Sequence, residues 1–278
     1  MKQLYRLRAF PKTPKGGNKA GVYLFADDLT SQDMQKIAKD IGYSETAFVL
    51  KSKKADFKVR FFTPKFEVDL CGHATIATFN LLRDLNIIQV GHYTQETKAG
   101  ILSLNVTGEM VFMQQSKPVF DTRIDQDELM TCFKNLECHP HLKPQIISTG
   151  LREIFLPLKN MAALEKLKPI YKKIIQISRK YQVIGIHAFS LDDQIDAYGR
   201  NFAPMIGINE ESATGTSNGA LGCYLYKHLD QKKEFLFRQG YQMDQPSEII
   251  THIHADADEI KSIWVGGNAS LIKEKIVV

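Results

Sequence analysis

The sequence predicts an α+β fold in two similar halves, each a curved β-sheet wrapped around one buried helix. Three observations predict it. A chain of 278 residues has the length of about two domains. Strand-like stretches outnumber helical ones. One module, built of a strand, a turn, an acidic residue, a glycine-led helix start and an apolar helix, occurs once in each half. Its first copy is Arg60 to Leu82, RFFTPKFEVDLCGHATIATFNLL, and its second is Tyr198 to Tyr226, YGRNFAPMIGINEESATGTSNGALGCYLY. Two copies point to two related halves rather than a solenoid. Lys117-Pro118 marks the boundary between an N-terminal domain, residues 1–117, and a C-terminal domain, residues 118–267.

Leu4 to Phe10 reads as the first strand. Pro14, Gly16, Gly17 and Asn18 make the following stretch a loop, and Val22 to Phe25 returns as a strand. Thr30 or Ser31 caps a helix with apolar Met34, Ile37, Ala38 and Ile41 at helical spacing, and Gly42 ends it. Ser44 to Leu50 and Phe57 to Thr63 are strands, the second stopped by Pro64, which has no N–H to give a sheet. His73 to Leu82 is apolar on nearly all sides and reads as a buried helix. Tyr93 to Thr97, Ile101 to Val106 and Met110 to Gln114 form a meander. The second half opens with a helix near Asp125 to Lys134. Strands follow near Gln145 to Ser148 and Glu153 to Pro157, and helical pieces at Met161 to Lys168 and Pro169 to Tyr181. Val183 to Ser190 and Asp196 to Phe202 are strands, and Thr216 to His228 is the second buried helix. Four strands close the chain: Phe235 to Gln239, Ile249 to Ala255, Ile260 to Gly266 and Leu271 to Val277.

Composition excludes several function classes. Apolar content of 44% and charged content of 24% are those of an ordinary globular protein. The net charge of +5 is spread over scattered lysines with no basic stripe, so nucleic acid is not an expected partner. The opening MKQLYRLRAF lacks the apolar core of a secretory signal, and no run approaches a membrane span. Four cysteines without a dense framework fit a reducing, cytoplasmic setting.

Metal and nucleotide chemistry find little support in the spacing. Cys132, Cys138, His139 and His141 are close in sequence but lack zinc-site spacing, and His252 with His254 lacks a third ligand. There is no phosphate-binding GxxxxGK[ST] and no strand–GxGxxG–helix unit, nor a GxSxG elbow. The expectation is no cofactor and no metal. What remains is two buried helix starts. At each, the first N–H groups and the positive end of the macrodipole favour an anion. A helix cap is the plain reading of His73 and of Thr216, a solvated strand edge that of Glu45, and a small buried residue that of Cys71. The chemical reading is that the two starts grip a carboxylate, or an enolate-like charge, while a carboxyl group moves a proton at an adjacent carbon.

SETAF (Ser44 to Phe48), FTPKFEVDLCGHAT (Phe62 to Thr75), and FAP with ESATGTSNGAL (Phe202 to Leu221) resemble the PhzF family of phenazine-biosynthesis-like isomerases. RAFPKTPKGGNKAGV (Arg8 to Val22) is a looser match to that family's opening. The resemblance implies the diaminopimelate-epimerase-like fold, with a C-terminal strand near 268–278 returning to the first domain. It implies a cofactor-independent isomerase of a small carboxylic acid, with its site in the cleft between domains, and a homodimer. It makes Glu45 the proton-shuttling base and acid. His73 becomes a neutral donor at the first helix start, and Glu211 a substrate-orienting carboxylate. Gly72, Gly215 and Thr216 supply backbone N–H groups, and Asn18 corresponds to the asparagine of the N-terminal loop. Lys19, Glu211 and Asn218 stand where the family has proline, aspartate and histidine. Two other readings are an epimerase using Cys71, opposed by Thr214 at the second thiol position, and a non-catalytic small-acid binder.

Overall fold

The structure is a computed structural model that describes residues 3–256, 259–272 and 276–277. The described residues divide into two compact units, one reaching Gln114 and resuming at Gly266, the other running from Gln115 to Val265.

The first unit opens with strands β1 (Gln3–Ala9) and β2 (Asn18–Leu24), paired antiparallel with Arg6 opposite Gly21. Helix α1 (Ser31–Ile41) begins in a capping box, with Thr30 and Asp33 bonding each other's backbone, and ends at Gly42 with φ of 67°, the left-handed cap that glycine adopts without penalty. Strand β3 (Glu45–Leu50) runs parallel to β2, and β4 (Phe57–Phe62) antiparallel to β3. After the short β5 (Glu67–Val68) comes α2 (Gly72–Asp84), whose residues from His73 to Leu82 are all buried. Strands β6 (Gly91–Thr97), β7 (Gly100–Val106) and β8 (Val111–Gln115) form the expected meander.

The second unit contains β9 (Val119–Arg123), α3 (Gln126–Leu129), β10 (Phe133–Lys134), β11 (Gln145–Ser148), β12 (Arg152–Pro157), α4 (Met161–Lys166), β13 (Lys168–Pro169), α5 (Tyr171–Tyr181), β14 (Ile186–Leu191), β15 (Ala197–Ala203), β16 (Ile208–Glu211), α6 (Gly215–His228), β17 (Glu234–Gln239) and β18 (Ser247–Asp256). Strand β19 (Glu259–Gly267) follows. Then β20 (Ala269–Leu271) and β21 (Ile276–Val277) pair antiparallel with β1. The expected last strand thus docks on the first, although its residues 273–275 lie outside the described ones.

The repeat read in the sequence is a repeat of pairings. Strand β12 runs parallel to β14 as β2 does to β3, β14 antiparallel to β15 as β3 to β4, and β15 parallel to β17 as β4 to β6. In each copy an arginine on the central strand makes a two-pronged ion pair just before the helix, Arg60 with Glu67 and Arg200 with Glu210. Such a fork fixes the turn by direction as well as charge. Helix α6 is buried over Ser217 to Tyr226, so it matches α2 as the apolar centre of its unit.

One expected element differs. The helix expected over Asp125 to Lys134 stops at Leu129, passes through a 3₁₀ turn at Met130–Cys132 and becomes β10. Phe133 and Lys134 pair with Pro169 and Lys168, and the Ile170 N–H bonds the Cys132 carbonyl. Tertiary pairing therefore overrides a short helical pattern whose last positions, Thr131 to Phe133, are weak helix formers.

Candidate active site

In the first unit the fold gathers residues distant in sequence. Asn18 opens β2, Glu45 opens β3, and the two strands lie side by side with Ala20 opposite Glu45. Helix α2 begins at Gly72, with Cys71 as its N-cap in an extended conformation and no side-chain cap bond from the Cys71 thiol. His73 is therefore not the cap but the second helical residue. It is buried at 5% exposure. Its Nδ1 faces Asn18 Nδ2 at 3.3 Å and Cys71 Sγ at 3.5 Å. Its Nε2 faces Glu45 Oε2 at 3.4 Å and Ser44 Oγ at 3.5 Å. The Glu45 side chain is 12% exposed. Its Oε2 is fully buried and makes no hydrogen bond among the described residues.

Burial pushes the His73 pKa below its ordinary value, against the opposing pull of the Glu45 carboxylate and of a bond to the Lys19 backbone. The ring is therefore neutral at neutral pH, as a helix N-terminus also favours. A neutral imidazole can donate a hydrogen bond without giving up a proton, while the carboxylate beside it can accept one.

In the second unit α6 starts at Gly215, with Thr214 as an extended N-cap and no side-chain cap bond. Thr216, read as a cap in the sequence, is the second helical residue, the counterpart of His73. The start is braced from outside the helix. Gln239 donates to the Glu211 carbonyl at 2.7 Å and to Thr214 Oγ1 at 3.2 Å, and accepts from Asn218 Nδ2 at 2.8 Å. Thr214 Oγ1 donates to Glu211 Oε2 at 3.0 Å, and the Thr216 carbonyl accepts from Thr149. Neighbouring Glu210 and Glu211 take opposite roles because a strand alternates its faces: Glu210 holds Arg200, and Glu211 lies at the helix start.

The structure thus brings Asn18, Glu45, Gly72 and His73 together in one unit, and Glu211, Gly215 and Thr216 together in the other. Ser44 and Gln239 were missed by sequence reading. Ser44 precedes the glutamate in the SETAF segment. Gln239 ends a strand just before Gly240, whose φ of 83° turns the chain there, and that Gln-Gly pair was the available signal. Neither grouping weighed as a metal site, Cys132 with Cys138, His139 and His141 or His252 with His254, gathers three donors among the described residues. Cys132 instead lies in the core, its thiol pushed up to about 11 by burial. Three donors do converge at Glu45, Cys71 and His73, one ligand atom from each lying within 4.8 Å of the others.

A family model described as phenazine biosynthesis-like protein matches residues 7–275. An isomerase of Clostridium acetobutylicum is 35% identical over 99% of this chain and 98% of its own. The trans-2,3-dihydro-3-hydroxyanthranilate isomerase of Pseudomonas chlororaphis is 28% identical over 94% of this chain and 93% of its own. A crystal structure of a PhzF-family phenazine biosynthesis protein from Bacillus anthracis superposes with a TM-score of 0.91 at 30% identity, covering 100% of this chain and 99% of that one. With a family match over nearly its whole length, the chain belongs to the PhzF family of phenazine-biosynthesis-like isomerases.

Proposed function

We propose that the protein is a cofactor-independent isomerase that moves a proton from one carbon of a small carboxylic acid to another, with Glu45 as the shuttle. The observation that carries this is the Glu45 carboxylate, whose buried Oε2 makes no hydrogen bond among the described residues and lies 3.4 Å from a neutral imidazole at an uncapped helix start. An oxygen buried in this way is a costly arrangement that a bound substrate would relieve.

The substrate carboxylate sits at the N–H groups opening α2, which favour negative charge. Glu45 takes a proton from a carbon next to that carboxylate or conjugated to it. The electron pair left behind delocalises into the carboxylate, and its growing charge is met by the helix start and a hydrogen bond from His73. Glu45 then delivers a proton, one that can exchange with solvent while the carboxyl holds it, to a different carbon, so nothing is consumed. In this reading Glu211, Gly215 and Thr216 hold the second polar end of the substrate, and Asn18 holds His73.

Chemically reasonable substrates include trans-2,3-dihydro-3-hydroxyanthranilate, on which the Pseudomonas chlororaphis relative acts. An epimerase reading would make Cys71 a base, since Sγ reaches His73 at 3.5 Å. Thr214, at the second thiol position, instead donates to Glu211, which weakens that reading. Incubation with candidate acids in heavy water tests both. The isomerase reading predicts exchange that survives Cys71→Ser and is lost in Glu45→Gln; exchange that depends on the thiol favours the epimerase.

A further inference from the structure

We propose that Gln239 is a positioning residue: it turns the Thr214 hydroxyl away from its own helix and onto Glu211, and so leaves the first N–H groups of α6 open to the substrate. The part concerning the substrate rests on the role proposed above for Glu211, Gly215 and Thr216, whereas the hold on the hydroxyl does not.

Thr30 and Thr214 both stand at helix N-caps with extended backbones, and they behave differently. Thr30 Oγ1 accepts from the Asp33 N–H at 3.2 Å and closes the start of α1. Thr214, at φ −127° and ψ 101°, makes no side-chain cap bond. A threonine there ordinarily accepts from the N–H of the second or third helical residue, here Thr216 or Ser217. Its backbone already has the cap conformation, so what keeps α6 uncapped is the direction of the side chain.

The cause lies at the end of β17. Gln239 is 1% exposed, and one consistent set of bonds fixes its amide. The Thr214 carbonyl can only accept, so Asn218 turns Nδ2 to it at 2.9 Å. The same Nδ2 donates to Gln239 Oε1 at 2.8 Å. That leaves Gln239 Nε2 facing the Glu211 carbonyl at 2.7 Å and Thr214 Oγ1 at 3.2 Å. Thr214 Oγ1, accepting from that amide, gives its own hydrogen to Glu211 Oε2 at 3.0 Å. Gly240 makes the close approach possible, since a Cβ there would lie 2.6 Å from the Ser212 carbonyl oxygen. In the first unit Gln95 Nε2 donates to Thr75 Oγ1 at 3.1 Å, inside α2 and not at its cap, where Cys71 offers only a thiol, a weak acceptor for an N–H. Without the Gln239 amide the Thr214 hydroxyl turns to the N–H groups of its own helix and the substrate must displace it. Glu211 also loses a donor that fixes its Oε2.

Gln239→Met, close in length and without a polar head, tests this beside the double variant Gln239→Met with Thr214→Ala. The amide resonances of Thr216 and Ser217 are followed by NMR on labelled full-length protein. Steady-state kinetics are read as deuterium uptake into trans-2,3-dihydro-3-hydroxyanthranilate, or whichever candidate acid the parent exchanges. Gln239→Met should move one of these amide protons downfield and raise KM about tenfold, with kcat within about twofold of the parent. The double variant should return the resonance and bring KM back towards the parent, because no hydroxyl is left to occupy the N–H groups. A merely structural role makes the double variant worse than the single one. Resonances unmoved in Gln239→Met, or moved as far in the double variant, overturn the hold on the hydroxyl. A KM that is unchanged, or raised further in the double variant, overturns the substrate part. Gln239→Asn, which withdraws the amide by one methylene, takes the place of Gln239→Met if urea unfolding finds the latter unfolded. A parent inactive on every candidate acid refutes the isomerase reading instead, while the resonances still decide what Gln239 does.

Discussion

Glu153 sits on β12 at 2% exposure, deep in the second unit. Asn201 Nδ2 donates to its Oε1 at 2.9 Å, and the Ser217 hydroxyl donates to Oε2. Asn201 also reaches Ser217 Oγ at 3.0 Å and His187 Nδ1 at 3.3 Å. Ser217 is the third residue of α6, so the carboxyl ties that helix start to the sheet. Burial raises the Glu153 pKa, against the lowering effect of the Ser217 and Asn201 bonds. A carboxyl raised above its unfolded value of about 4.3 keeps its proton longer when folded, so its contribution is present at low pH and fades as pH rises through the folded value. Replacement by glutamine keeps the shape and stays neutral: its oxygen accepts from Asn201 and its amide donates to Ser217. Replacement by alanine leaves a cavity and strips both donors of an acceptor, although Asn201 and Ser217 still bond each other. The expected loss for Glu153→Ala is ~2 kcal/mol at pH 5, while Glu153→Gln stays within ~1 kcal/mol of the parent there. Above pH 5 the glutamine variant gains on the parent, by at most ~1.4 kcal/mol per pH unit. Urea unfolding at several pH values measures all three. Equal losses in the two variants, or a parent–glutamine difference that does not change with pH, would refute the reasoning.

Further predictions follow from single contacts. A Cβ built at Gly199 would lie 2.7 Å from Nε2 and 3.0 Å from Cε1 of the fully buried His187; Gly199→Ala should cost ~2 kcal/mol in urea unfolding. Burial lowers the pKa of His73, and that of His187 to about 3. Their contribution is therefore complete above the unfolded histidine value of about 6.5 and is lost as pH falls below it, by up to ~1.4 kcal/mol per pH unit for each ring. Unfolding of the Glu153→Gln protein between pH 6.5 and 4.5, where the opposing Glu153 effect is gone, should show that decline, and a flat profile would contradict it. Thr30→Ala removes the capping box of α1 and should cost ~1 kcal/mol, restored largely by Thr30→Ser.

The repeat was legible because each copy carries the same chemistry in the same order: an arginine on a strand, an acidic residue, then a glycine opening an apolar helix. The helices at α2 and α6 were legible because they are apolar on all sides. The proximity of Glu45 to His73 was not legible from pattern. The two lie on different elements, and only the parallel pairing of β2 with β3 and the entry of α2 beside them closes the gap; the family resemblance supplied it instead. The Glu153 cluster was invisible for the same reason, since its residues come from β12, β14, β15 and α6. The separate role of Glu210 was not legible until β16 assigned the two glutamates to opposite faces, and the failed helix at 125–134 shows a short local pattern yielding to the pairing of Phe133 and Lys134 with Pro169 and Lys168.

Glu45 as the proton shuttle is most directly tested by NMR in heavy water. The protein and Glu45→Gln are each incubated with trans-2,3-dihydro-3-hydroxyanthranilate and a panel of other small carboxylic acids, with unfolding curves run beside them. The account predicts deuterium entering one carbon of a single acid class with the parent protein, and none with a Glu45→Gln variant that remains folded. Exchange at the parent's rate by a folded Glu45→Gln would contradict it.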